Sequence, residues 1–267
     1  MIVNEDELLG NAVRNEDREA RRAILKILKA ALHSVDPRVA ITNHIRRTNN
    51  LLHIDEMTFD LDGFERIFVV GGGKAGGAMA EALEEIMGDR LTEGLVNVLR
   101  GTKPSLETRK ILLNEAGHPI PDEDGVEGAR RIIQLVDKAR EKDLVICLIS
   151  GGGSALMPLP AAGITLQDKQ ELTDALLKCG ATIDEINAVR KHVSELKGGQ
   201  LAKAAYPATL VSLILSDVVG DPLDAIASGP TAPDTTTFKD AISILKKYDL
   251  WKKVVPKTVK KRLEAGL

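Results

Sequence analysis

The chain has 267 residues, 43% hydrophobic and 28% charged, which is enough for one large domain with a buried core and a polar surface. Its 36 basic and 39 acidic residues leave a net charge of -3, which excludes capture of nucleic acid or an anionic membrane by bulk charge. With aromatic residues at 3% there is little for base stacking, and two cysteines, Cys147 and Cys179, do not make a disulfide framework.

The first residues, Met1 to Asp6, lack the basic-then-apolar order of a signal peptide, and no apolar run approaches the ~18 residues of a membrane span. A cytoplasmic protein without membrane or nucleic-acid partners is expected. From Asn15 to His33, Ala20, Ala23, Ile24, Ile27, Leu28, Ala31 and Leu32 recur at helical spacing. Asp36-Pro37 reads as a cap and first position of a second helix running to about Ile45. At Arg66 the texture changes. Ile67 to Val70 is an apolar run stopped by three glycines, and a helical pattern follows through Ala78, Met79, Ala82, Leu83 and Ile86. Leu95–Leu99 reads as a strand, Glu123 to Arg140 as a helix, and Leu144–Ile149 as a strand covered on both faces. Helical patterns cover Leu166 to Cys179, Ile183 to Leu196 and Gly199 to Ala205. A last strand, Thr209–Leu215, precedes a loop to Asp234 and helices over Phe238 to Tyr248 and Lys257 to Ala265. The fold class that follows is α/β, a Rossmann-like, mainly parallel sheet with helices on both faces. A helical segment over 1–60 is expected to pack on an α/β domain over 61–267.

Ligands of open α/β sheets bind beyond the carboxyl ends of the strands. Three strands end in candidate loops: Val70 into Gly71-Gly72-Gly73-Lys74, Ile149 into Ser150-Gly151-Gly152-Gly153-Ser154, and Leu215 into Ser216-Asp217. The first matches G-x-G-x-x-G at Gly71, Gly73 and Gly76, yet the next strand ends Val98-Leu99-Arg100 without the acid that holds a dinucleotide ribose. No Ser or Thr follows Lys74, so the Walker A pattern fails as well. An ammonium in a glycine turn suits a transferring phosphoryl group or a carboxylate. Ser150 to Ser154 offers successive N–H groups and two hydroxyls, the parts of an anion nest. Asp217, and more weakly Asp221, can hold Mg²⁺, and Asp217 can instead act as a base. On a helical wheel Asn187, Arg190, Ser194 and Lys197 share one stripe, which taken alone is better explained as a solvated face. His118 follows Gly117 in a proline-rich segment that serves a cleft or a rigid loop equally well.

Taken in order, Val69 to Ala75, Gly117-His118-Pro119 with Pro121-Asp122, Ser150 to Leu156, Asn187 to Leu201, Ser216 to Val218 with Gly220-Asp221, and Ser228 to Thr231 resemble the glycerate 2-kinase family. The resemblance implies ATP-dependent phosphorylation of D-glycerate at its 2-hydroxyl, with ATP and Mg²⁺ as cofactors. The resemblance points to Lys74 as a key active-site residue, and the residues read above add Asp217 and Arg190 as catalytic candidates. Gly71 to Gly73, Ser150 to Ser154, Lys197 and Ser216 are the phosphate or substrate contacts, and Asp217 and Asp221 the metal candidates. The family's members carry a second α/β domain beyond the segment matched here, so this chain reads as the amino-terminal part, with oligomeric state open between monomer and homodimer. The alternatives are an NAD(P)H-dependent hydroxypyruvate reductase and a non-catalytic module binding nucleotide or acid.

Overall fold

The computed structural model describes residues 2–267. Three helices open the chain: α1 (Glu5–Gly10), α2 (Asn15–Ser34) and α3 (Pro37–His44). Asp36 caps α3 by accepting the N–H of Arg38, with Pro37 at the first helical position, as the dipeptide indicates. Helix α2 keeps its apolar periodicity, but Ile24, Ile27, Leu28 and Leu32 are exposed and only Leu25 is buried. An antiparallel meander follows, β1 (Ile45–Thr48), β2 (Leu51–Ile54) and β3 (Met57–Asp60). Strands of four residues carry too few alternations to declare themselves, so helical periodicity alone passes over this sheet.

The main sheet is built from β4 (Arg66–Gly72), β5 (Glu93–Leu99), β6 (Ile111–Ala116), β7 (Asp143–Ser150) and β8 (Thr209–Leu215). Its order is β6-β5-β4-β7-β8, and every pairing is parallel. Strand β6 does not declare itself by apolar pattern, because Asn114 and Glu115 interrupt its run. Side-chain alternation along the strands divides the interior in two. Ile67, Val69, Val96, Ile146 and Leu148 face helix α4 (Gly76–Met87) and the opening elements. Phe68, Val70, Leu95, Val145, Cys147 and Ile149 face α5 (Glu123–Val136). Both faces are thus covered, which is why β7 reads as an unbroken apolar run.

The remaining helices are α6 (Gly153–Leu156), α7 (Leu166–Lys178), α8 (Ile183–His192), α9 (Gln200–Ala205), α10 (Phe238–Lys247), α11 (Leu250–Lys253) and α12 (Lys257–Ala265). Helix α9 packs on the α5 face, while α7, α8, α10 and α12 enclose a third apolar cluster through Leu172, Val189, Leu245 and Val259. Helix α8 ends at His192, four residues short of the periodic pattern. Thr182 opens it with a capping box on Glu185. Cys147 is buried, where desolvation pushes its thiol up to about 12, and neither cysteine is bridged. Among the described residues, no helix is long and apolar enough to cross a membrane.

At the base of the sheet, Arg66 meets the buried Asp143 through hydrogen bonds of 3.1 and 2.6 Å. Burial raises the Asp143 pKa, but the Arg66 guanidinium and backbone donors outweigh it and hold the carboxyl below its ordinary range. The pair aligns β4 with β7 at their starts and so fixes where the two strands end.

Candidate active site

Strand β4 is the first strand of the main sheet and lies at its middle, with β5 on one side and β7 on the other. The chain therefore switches direction across the sheet between β4 and β7, and a crevice opens beyond their carboxyl ends. The glycine turn after β4 and the Ser150 loop after β7 both emerge there. They are bonded to each other: the N–H of Lys74 donates to Gly151 O at 2.9 Å and that of Ala75 to Ser150 Oγ at 3.1 Å. Gly73 is required at this junction. Its φ is +153°, and a Cβ there would stand 2.1 Å from Ser150 Oγ.

Four groups converge on the Ser150 loop. A Cβ built on Gly151 would lie 2.8 Å from Asp217 Oδ2, and one on Gly152 3.1 Å from both Lys74 Cγ and His118 Nε2. Ser154 Oγ lies 3.0 Å from Ser228 Oγ, which donates to Asn187 Oδ1 at 3.0 Å. The N–H groups of Gly152, Gly153 and Ser154 make no hydrogen bond to an acceptor among the described residues, which leaves them available to an anion. Lys74 is exposed, and its ammonium has no protein partner among those residues. His118 is half-buried, and burial, aided by the charge of Lys74, pushes its pKa below the ordinary value. The imidazole is therefore neutral at pH 7 and can accept a proton.

The other candidates are placed differently. Ser150 is buried with its hydroxyl occupied by Ala75, and Ser216 bonds the N–H of Val218 at 3.0 Å within its own turn. Both shape the loops. Asp221 stands in an exposed turn closed by its N–H on Val218 O. Among the described residues no three His, Cys, Asp or Glu side chains cluster to hold a metal ion. The stripe Asn187, Arg190, Ser194 and Lys197 is not a solvated face: Asn187, Ser194 and Lys197 are buried, and Arg190 is half-buried. The Lys197 ammonium donates to Ser154 O at 2.8 Å and lies 3.4 Å from Met157 O, holding the loop from beneath. Asn97 does the same from β5, donating to Gly125 O and Leu156 O at 3.0 and 2.7 Å. Periodicity misses Asn97 because it sits inside an apolar strand; a lone amide in such a run is the available signal.

A family model described as "Domain of unknown function (DUF4147)" matches residues 23–264. The chain belongs to this family. A "Glycerate 2-kinase" of Pyrococcus horikoshii is 44% identical over 249 residues, covering 93% of this chain and 55% of the relative. A crystal structure titled as a glycerate kinase of Thermotoga maritima superposes with a TM-score of 0.77 at 39% identity, over 91% of this chain and 54% of the other. A protein of Agrobacterium vitis, provisionally named hydroxypyruvate reductase, is 42% identical over 88% of this chain and 50% of its own. The chain spans about half the length of the curated relatives it matches. The resemblance drawn from the motifs and the α/β, Rossmann-like class both hold.

One titration at the edge of the site is measurable without a ligand. Lys169 on α7 is only 7% exposed, and burial with repulsion from Arg190 pulls its pKa from 10.5 down to about 7. Between pH 7 and 10.5 the unfolded chain holds a proton that the folded chain has lost, so stability rises with pH across that window. Lys169→Met is expected to flatten that rise and to raise stability at pH 7, read as urea midpoints at pH 7 and 9. A wild-type midpoint that is flat across the two values contradicts the assignment.

Proposed function

We propose that this chain carries the amino-terminal wall of an ATP-dependent kinase that phosphorylates D-glycerate at its 2-hydroxyl, giving 2-phosphoglycerate. The observation that carries the reading is the meeting of Lys74, His118 and Asp217 around the Ser150–Ser154 loop, at the carboxyl end of the sheet. The glycerate kinase names of relatives matching nearly all of this chain support it. The proposal includes a second domain as the facing wall of the cleft, consistent with a chain about half the length of those relatives.

The roles follow from chemistry. Phosphoryl transfer is catalysed mainly by positioning and by neutralising charge on the transferring oxygens. Lys74 and the N–H groups of Gly152, Gly153 and Ser154 supply that charge, and the neutral imidazole of His118 accepts the proton of the acceptor hydroxyl. Asp217 fits a magnesium ion: its carboxylate is exposed at a strand end and has no protein partner among the described residues. A single carboxylate suffices where phosphates and water complete an octahedral shell. When bound, Mg²⁺ neutralises charge shared between the nucleotide phosphates. Asp221, in its own exposed turn, is the weaker ligand candidate.

A ³¹P NMR time course with ATP, Mg²⁺ and D-glycerate, run beside ATP calorimetry, tests the reading. A 2-phosphoglycerate resonance supports it, and the lack of both product and nucleotide binding sinks it. The name of the Agrobacterium vitis relative gives the reductase a hearing. Against it, β5 is followed directly by Arg100, which pairs with Asp122 and Asp124 at 2.6 and 2.7 Å, where a ribose-binding acid would be needed. Oxidation of NAD(P)H by hydroxypyruvate would reverse that judgement.

A further inference from the structure

Charge balance around helix α8 is uneven in a way the proposed roles do not use. Lys191, on this helix, is buried and has two carboxylates to answer it, Asp224 at 3.3 Å and Asp234 at 3.4 Å. Its neighbour Arg190 has none. The Arg190 guanidinium is half-buried, yet it makes no hydrogen bond or ion pair to any described residue, and burial alone lowers its pKa. Five N–H donors in a rigid fork are left without an acceptor. Two further cations stand behind it. Lys169 is 7% exposed and Lys197 2% exposed, and burial, with smaller repulsion from the neighbouring basic groups including Arg190, depresses the pKa of each. Their ammonium groups end on neutral carbonyls, Lys169 on Leu159 O at 3.3 Å and Lys197 on Ser154 O at 2.8 Å, and neither meets a carboxylate.

Holding three basic groups together away from water without a counter-ion is unfavourable, so Lys169 and Lys197 give up their protons readily, and carbonyl dipoles offset only part of the cost. The arrangement becomes favourable once an anion joins it. Its place in the fold says where that anion would come from. Arg190 lies one helical turn beyond Asn187, which receives Ser228 and through it Ser154 of the nest loop. Gln170, beside Lys169, donates at 2.7 Å to Pro121 O in the segment that carries His118. The cation group is therefore flanked by two walls of the crevice.

We propose that Arg190, backed by Lys169 and Lys197, is a receptor for an oxyanion, carboxylate or phosphoryl, of a ligand bound over the Ser150–Ser154 loop. The planar fork of Arg190 takes two oxygens of the group side by side, and the arriving negative charge favours the protonated form of the lysines behind it. This rests on the cleft location proposed above but not on the reaction assigned to it.

The test titrates inorganic phosphate and, separately, D-glycerate into the wild-type chain and into Arg190→Gln and Arg190→Lys, by calorimetry and thermal denaturation. Wild type is expected to bind at least one probe, Arg190→Gln to bind that probe about tenfold or more weakly, and Arg190→Lys to fall between. Loss confined to glycerate identifies a carboxylate receptor, and loss confined to phosphate a phosphoryl receptor. Without ligand, Arg190→Gln is expected to melt no lower than wild type, because no protein bond is removed. A lower melting temperature would mark Arg190 as structural and overturn the proposal. So would unchanged affinity in Arg190→Gln, or a wild type that responds to neither probe. Phosphoryl transfer is not measured, so a failed kinase reading and a failed receptor remain distinguishable.

Discussion

In the full-length kinase of the proposed reading, Lys74→Ala is expected to lower phosphoryl-transfer turnover at least ~100-fold, the scale seen when a preorganised charge stabiliser is removed, while hardly changing stability. The structure separates the two effects. The backbone of Lys74 is anchored, its N–H donating to Gly151 O at 2.9 Å, and any residue except proline can make that bond. Its side chain runs past Gly152 into the crevice, and its ammonium meets no protein acceptor among the described residues. Truncation therefore orphans no buried group, and a stability change within about 0.5 kcal/mol is expected, as for other exposed sites. Lys74→Arg keeps the charge but moves it and spreads it over a plane, so partial turnover is expected. Steady-state assays beside melting curves, both with Lys74→Ala, check the split. Near-normal turnover removes Lys74 from the chemistry; a melting temperature that falls with turnover makes the turn a structural feature.

What could be read from residues alone divides along physical lines. Strands β4 and β7 were legible because both their faces are buried, which writes a continuous apolar run ended by glycine. The meander β1 to β3 was not, since four-residue strands alternate too briefly and their pairing is set by tertiary context. At the site, the three loop-bearing strand ends were legible one by one. Their adjacency was not, because strand order is a long-range property. The stripe from Asn187 to Lys197, which begins on α8 and runs past its end at His192, shows the limit most clearly. Its spacing is the same whether the face meets water or protein, and only packing shows that Lys197 turns its ammonium onto Ser154 O and not into the cleft. Ser150 gives the same lesson on a smaller scale: a hydroxyl that looked available for a ligand is spent on Ala75 N–H.

The second large effect is expected at a residue with no chemistry of its own. Gly71→Ala should destabilise the fold by more than about 4 kcal/mol, a value reached only by a few mechanisms such as overpacking or backbone strain. Here both act together. Gly71 has φ +142°, which L side chains rarely adopt, and a Cβ there would stand 1.9 Å from Leu148 O and 2.8 Å from Leu148 N. Those atoms belong to β7, which is paired with β4 on one side and β8 on the other, so they have no room to yield. Relief would require β4 and β7 to part at Gly71 and Leu148, one residue before the crevice. In a chain of this size 4 kcal/mol corresponds to a drop in melting temperature on the order of 10 °C. Gly63→Ala is the control, with open space around its Cβ and no strained φ, and should shift the melting temperature little. If Gly71→Ala instead melts with the control, the strands are not as closely apposed as described. The position of Lys74 would lose its support at the same time, because the turn that aims it is held by this contact between neighbouring backbones.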